Sequence, residues 1–355
     1  MKVRPAVAAM EAYHPPLEMR SERDYLLLDF SESTQPPSPA VAAALQAYAR
    51  DGRARMYPAY GRLSEKLARY VGVRPDQVLP TNGSDGAIQL ILHALLEAGD
   101  EMVMAKPGFF VTGSMAASIG ARVVSPLYRP DMSFPLEEVL AAVTLRTRLI
   151  VVVSPNNPTG TSAGLDQIET ILQRHPDVPV FVDEAYYEFS GRTAVPLLAR
   201  HDNLVLSRTF SKAMALAGLR FGYAVSNAEF IGQLAKLRIP YDVNTAAAVA
   251  AEASLDHPEG WRAYVREVME QAKPQLERFL DERGVPYYRS DANFILVRAG
   301  DPAPLCEYLR EQGILVRPQR PPVGDCFRVS IGTVAEMRRF MQAYGAFLDQ
   351  PARGR

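Results

Sequence analysis

Apolar positions fall into two rhythms that alternate along most of the chain. Past residue 82, Ile88, Ile91, Leu92, Leu95 and Leu96 recur at helical spacing, which predicts a helix capped by Ser84 and running to about residue 97. Short runs at 102–105, 123–125, 149–154, 178–183, 204–207 and 221–226 are strand candidates, several of them apolar at consecutive positions, as in strands covered on both faces. Strands separated by helical lengths predict βαβ units and a mainly parallel sheet in an α/β layer. Earlier, the prolines of 35–39 mark a turn before an alanine-rich helix over 40–50. After residue 240 a helical region spans 245–283, broken at Pro258 and Pro274, and short strands follow at 293–298, 314–317 and 327–331. The expected organisation is an N-terminal arm over 1–24, a large domain over 47–240, and a smaller α+β domain formed by 25–46 with 241–355. The last residues, 350–355, are expected to fray.

Composition narrows the function classes. With 355 residues, 48% hydrophobic and 22% charged, the chain has the make-up of an ordinary globular protein of about two domains. Lys+Arg 39 against Asp+Glu 40 leaves a net charge of −1, so no global electrostatic footprint for nucleic acid or an anionic membrane exists. No apolar run is long enough to cross a bilayer, and residues 1–10 lack the apolar core of a secretory signal. Two cysteines, Cys306 and Cys326, rule out a disulfide framework and fit a reducing cytoplasm. The five histidines have no metal-ligand spacing, so no metal site is expected.

Four segments gather polar residues where an apolar strand stops, which is where open α/β sheets bind ligands. Thr81-Asn82-Gly83-Ser84-Asp85-Gly86 places small residues before a helix, and free N–H groups there form an anion site. Ser154-Pro155-Asn156-Asn157-Pro158-Thr159-Gly160 is a proline-rich turn. Asp183 follows Val-Phe-Val, and a carboxylate on so apolar a strand needs a cation or several donors, as a satisfied core aspartate also would. The stretch 207–220 sets Lys212 among hydroxyls, with Arg220 eight residues later. A lysine attacks carbonyls only when neutral, so such a site must depress a pKa of roughly 10.4. Each segment alone is compatible with ordinary structure; their joint placement at strand ends is not expected of a surface.

The order and spacing of these segments, with Pro240-Tyr241-Asp242-Val243-Asn244, Ala292-Asn293-Phe294 and Phe327-Arg328-Val329-Ser330, resemble the fold-type I pyridoxal-phosphate aminotransferases. The resemblance runs from about Tyr13 to about Gly345 and is strongest to the histidinol-phosphate aminotransferase-like group. It implies a large α/β domain with a mainly parallel central sheet plus a smaller α+β domain. It also implies that Lys212 forms the internal Schiff base with pyridoxal 5'-phosphate and shuttles the proton between substrate and cofactor. Asp183 would pair with the pyridinium nitrogen, and Tyr186 and Asn157 with the ring's phenolic oxygen. Ser84, Asp85, Ser211 and Arg220 would hold the phosphate, and Phe109 would stack on the ring. Tyr57 would reach the phosphate of a neighbouring subunit, which makes a homodimer the expected assembly.

On the substrate side, the resemblance assigns Arg328 to the α-carboxylate and Arg317 and Tyr13 to a substrate phosphate. The expected reaction moves an amino group between histidinol phosphate, or a similar amine, and 2-oxoglutarate in two half-reactions. The sequence departs from its relatives at Ser31-Glu32-Ser33, at Ser84-Asp85-Gly86 and at Gly108, and adds Arg320 among prolines 318, 321 and 322. These departures touch substrate contacts more than cofactor contacts, so aromatic amino-acid transamination and a threonine-phosphate decarboxylase-like reaction stand as alternatives. A non-catalytic relative is disfavoured by the intact Lys212, Asp183, Tyr186, Asn157 and Arg220. A nicotinamide dehydrogenase is disfavoured because no Gly-x-Gly-x-x-Gly follows an early strand.

Overall fold

A computed structural model describes residues 1–12 and 16–350. A seven-stranded sheet dominates, in the order Val78–Asn82, Phe221–Ser226, Leu204–Thr209, Val180–Asp183, Thr147–Val153, Glu101–Met104 and Arg122–Val124. Every neighbouring pair is parallel except those made by Phe221–Ser226, which runs against both its neighbours. The expected α/β layer is therefore present, with strand positions close to those predicted. Val78–Asn82 was not predicted. It contains Pro80, which removes a ladder donor, and it lies at the sheet edge, where that loss is tolerated.

Alternation along the strands assigns side chains to two cores. Met102, Leu149, Val151, Phe181 and Val205 face one side, with Ile88, Ile91 and Leu92 of helix Gly83–Leu95. Val103, Ile150, Val152, Val180, Val182, Leu204 and Leu206 face the other, with Leu63 and Leu67 of helix Gly61–Val71 and Ile168 and Ile171 of helix Leu165–Arg174. This period-two partition buries both sheet faces and explains why the strands read as continuous apolar runs. It also sends Asp183 to the first side and Glu184 to the second.

A second, antiparallel sheet orders Arg317–Pro318, Cys326–Ser330, Phe294–Arg298 and Tyr287–Tyr288, and Leu26–Leu27 pairs in parallel with Ile314–Leu315. The single strand expected at 314–317 is thus divided between two sheets, and Leu26–Leu27 is too short to have shown a pattern. Pro258 does interrupt the helical region, between Thr245–Asp256 and Glu259–Arg266. Pro274 does not. The helix passes through it by a π turn over Glu267–Ala272, in which the Lys273 N–H bonds to the Val268 carbonyl, the kind of insertion that lets a helix absorb a residue lacking a donor. The arm carries a short helix, Pro5–Ala8, lying on helix Phe110–Ile119 with none of its own residues buried, and a 3-10 turn, Glu18–Ser21. No helix among the described residues is long and apolar enough to cross a membrane.

Candidate active site

The carboxyl ends of the central strands open into a cavity of about 1100 Å3 that reaches the antiparallel sheet and the arm. Asp183 ends its strand 3% exposed, accepting a hydrogen bond from the Ser207 hydroxyl at 2.9 Å on the adjacent strand. Burial pushes its carboxyl up to about 6 against that hydrogen bond, and the nearby Asp85 and Glu184 charges act in the same direction as burial. Lys212 follows strand Leu204–Thr209 and donates to the Phe30 carbonyl at 2.8 Å. Burial holds its ammonium down to about 8; the Arg328 guanidinium adds to this, and Glu32 and Asp85 oppose it. Lys212 Nζ also lies 5.9 Å from the centre of the Tyr186 ring.

A chain of polar contacts closes the far wall. Arg328, on strand Cys326–Ser330, donates to Asn157 Oδ1 at 2.5 Å and to the Asp29 carbonyl at 2.7 Å. Asn157 Nδ2 donates to the Tyr186 hydroxyl at 3.2 Å. Tyr186 is buried, its ring edge-on to Phe294, and burial raises its phenol pKa. One network therefore joins residues 157, 186 and 328, which the sequence holds far apart.

At the other end lies the start of helix Gly83–Leu95. Ser84 does not cap it, contrary to expectation: the position before the helix is Asn82, without a side-chain cap, and Gly83 enters at φ +70°. The Thr81 hydroxyl donates to the Gly83 carbonyl rather than accepting from the turn. No side chain is therefore spent on the helix's first N–H groups, which suits them to an anion. Arg220, at φ 59°, donates to Asp85 at 2.8 Å and to Ser211 Oγ at 3.4 Å. Thr209, which sequence reading passed over as one hydroxyl among several, donates to Ser211 Oγ at 3.0 Å and receives the Ser211 N–H. Gly222 is required here, because a Cβ on it would lie 2.4 Å from the Ser84 nitrogen, and a glycine inside a strand was the available signal for that approach.

Phe109 precedes helix Phe110–Ile119 and lines the cavity beside Gly108, where a Cβ would meet the Ala105 carbonyl at 2.7 Å, so no hydroxyl residue fits there without rearrangement. Arg317 and Arg320 line the opposite wall, with the Arg317 guanidinium 5.0 Å from the Phe30 ring centre. Tyr57 is absent from this wall; it is 78% exposed and stacked on Tyr241 at 4.2 Å. Tyr13 lies outside the described residues. The segment around Phe30 accepts from both Lys212 and, at Asp29, Arg328; the sequence pointed to its Ser31-Glu32-Ser33 end as touching substrate, but not to the backbone carbonyls of Asp29 and Phe30. Its partners are 182 and 299 residues away.

A half-buried lysine of lowered basicity, a buried carboxylate with no cation beside it among the described residues, an uncapped helix start and an arginine pair face one cavity at the strand ends of an α/β sheet. The family model for aminotransferase class I and II matches residues 23–343, and the chain belongs to that family. It is similar to the histidinol-phosphate aminotransferase of Roseiflexus castenholzii, 38% identical over 93% of this chain and 94% of that protein. The same-named protein of Symbiobacterium thermophilum is 37% identical over 98% and 99%. Among solved structures, histidinol-phosphate aminotransferase from Sinorhizobium meliloti, in complex with pyridoxal-5'-phosphate, superposes with a TM-score of 0.88 at 26% identity, covering 98% and 97% of the two chains.

Proposed function

We propose that this aminotransferase uses pyridoxal 5'-phosphate and takes histidinol phosphate as amino donor and 2-oxoglutarate as acceptor. The observation that carries the reading is Asp183: a buried carboxylate in a cavity wall, with no cation beside it among the described residues, in the same space as a lysine of lowered basicity. A pyridine nitrogen that takes a proton answers that need, and the donor set at Gly83, Ser84, Asp85, Ser211 and Arg220 fits a phosphate. When bound, the cofactor supplies an electron sink for the pair left on the substrate's Cα.

The chain's own residues do the rest. Asp183 would keep the ring nitrogen protonated. Tyr186 and Asn157 would hold the ring oxygen, and Phe109 would line the ring's face. Lys212 would hold the cofactor's aldehyde, and its Nζ would carry the proton to and from the substrate's Cα, a role that its lowered basicity suits. Arg328 orients the donor's anionic group, carboxylate or phosphate, with its planar fork. Arg317 and Tyr13 add contacts to a phosphate, supported for Arg317 by its place in the cavity wall. Tyr57, exposed on the surface, completes the site of a second copy in a homodimer. The large part of the chain, 47–240, carries the cofactor; residues 25–46 with 241–355 form the small part and 1–24 the arm. The relatives' activity fits a biosynthetic enzyme of the cytoplasm.

The test is a half-reaction screen. Purified protein is mixed with histidinol phosphate, threonine phosphate, phenylalanine or tyrosine, and the visible spectrum is followed as the cofactor passes to its pyridoxamine form. Conversion fastest with histidinol phosphate is expected. Conversion only with aromatic amino acids, or carbon dioxide release from threonine phosphate, replaces the substrate assignment. Arg317→Ala should reduce kcat/KM for the phosphorylated donor about tenfold more than for phenylalanine; equal losses remove Arg317 from phosphate recognition.

A further inference from the structure

The segment 29–32 crosses the cavity wall with its backbone turned toward the site. Its successive carbonyls serve three elements: Asp29 accepts from Arg328 at 2.7 Å, Phe30 from Lys212 at 2.8 Å, and Ser31 from Asn293 at 3.2 Å. Ser31 sits at φ 54°, a left-handed conformation that a residue with a Cβ keeps only where its surroundings impose it. One anchor is the Ser31 N–H, which donates to Ser330 Oγ at 2.8 Å. The other is Arg20. Its guanidinium grips both oxygens of Asp29 at 2.6 and 3.2 Å, reaches Glu32 at 2.5 Å, and lies 4.6 Å from the Phe30 ring centre. Arg20 does not line the cavity, whereas Glu32 does.

We propose that Arg20 is a positioning residue for the reaction: it holds segment 29–32 in the shape that presents carbonyls to Lys212 and Arg328, and it neutralises Glu32, which faces the same lysine. The proposal rests on Lys212 being the reactive lysine. A bidentate fork on a buried carboxylate, a second carboxylate and a ring face together fix four consecutive residues. A surface ion pair worth well under 1 kcal/mol would leave them free to move. Two effects follow, one geometric and one electrostatic. The charged groups acting on Lys212 are Arg328 and Arg220, which disfavour its protonated form, and Glu32 and Asp85, which favour it; the Tyr186 ring and the Phe30 carbonyl complete its surroundings. Glu32 is the one of these that Arg20 directly compensates.

Opposite charge changes should therefore move the lysine in opposite directions. Its basicity is read in the holoenzyme as the pH midpoint of the cofactor's visible absorption. In the cofactor-free full chain it is read as the pH dependence of Lys212 methylation by formaldehyde and cyanoborohydride, followed by peptide mass spectrometry. Arg20→Gln leaves Glu32 uncompensated and raises the midpoint, and Glu32→Gln lowers it, each by on the order of half a pH unit. Arg20→Lys keeps the charge and loses the fork, so its midpoint stays near wild type while KM for the amino donor rises about tenfold with kcat changed less. Midpoints that stay put, or that move the same way in Arg20→Gln and Glu32→Gln, overturn the proposal. If Arg20→Gln does not fold, the downward shift in Glu32→Gln and the split between midpoint and KM in Arg20→Lys decide it. A protein that takes up no pyridoxal phosphate refutes the proposed function instead, and the methylation profiles still judge Arg20 by the same signs.

Discussion

Asp183 and Glu184 are consecutive, 3% and 2% exposed, and face opposite sides of the seven-stranded sheet. On the inner side Glu184 is fully answered. Arg208 donates to it from Nε at 2.9 Å and pairs with it at 2.8 Å, the Thr193 hydroxyl donates at 2.9 Å, and the Ala194 N–H at 2.6 Å. Arg208 is itself buried and lies 3.6 Å from the centre of the Tyr187 ring. On the cavity side Asp183 has the Ser207 hydroxyl and the Ala185 N–H, and among the described residues no basic side chain comes within ion-pair distance. The two strands repeat the contrast in register: Ser207 meets Asp183 and the next residue, Arg208, meets Glu184. A buried charge that its own chain satisfies is structural. One left short of a partner at a cavity wall marks where a ligand must bring the missing charge.

The contrast is open to breakage on either face. The largest effect is expected at Lys212, which shares the cavity with Asp183: Lys212→Ala should abolish transamination and leave no cofactor attached at residue 212 after borohydride treatment, and near-wild-type turnover would remove it as the nucleophile. Asp183→Asn should lower kcat about a thousandfold, on the order of 4 kcal/mol, while the fold persists. Across the sheet the pattern should reverse. Glu184→Gln leaves Arg208 buried without its counter-charge and should lower unfolding free energy by about 3 kcal/mol in a urea titration. Loss of activity there without loss of stability would contradict the division between the faces.

The smallest effect is a pH dependence. The folded pKa of Asp183, about 6, lies above the unfolded value of 3.8. The cofactor-free chain thus loses stability from this group as pH rises between those values, and above them the ionised carboxylate is a net cost to the fold. Asp183→Asn removes that cost, so the cofactor-free variant should be more stable than wild type at pH 8 and equal to it near pH 3.5. Added pyridoxal phosphate should narrow the gap at pH 8, because a facing cation restores the carboxylate's partner. Equal stabilities at pH 8 would mean that water or a neighbouring side chain already relieves the charge.

Much of this cavity's lining was legible in the sequence. Runs such as 149–154 and 178–183 announce doubly covered strands by composition alone, and polar residues at their ends, Asn157, Asp183 and Lys212, follow from the rule that open sheets bind ligands there. What was misread had local causes. Ser84 has the chemistry of a cap, but the left-handed Gly83 moves the helix start and leaves its first N–H groups without a side-chain cap. Pro274 has the chemistry of a breaker, but a π turn absorbs it. Val78–Asn82 carries a proline that argues against a strand unless its place at the sheet edge is known.

The amino-acid order alone set the period-two and helical patterns, and with them the layers, the sheet's buried faces and the strand ends where reactive groups collect, because those depend on spacings of a few residues. Tertiary structure alone decided which carboxylate meets a counter-charge and which, among the described residues, does not. It also brought residues 20, 29–32, 212 and 328 into one assembly. The first depends on which side chains of neighbouring strands and loops, 9 to 24 residues away, reach each carboxylate, the second on segments up to 299 residues apart, and both on low-dielectric surroundings that make an unanswered charge costly.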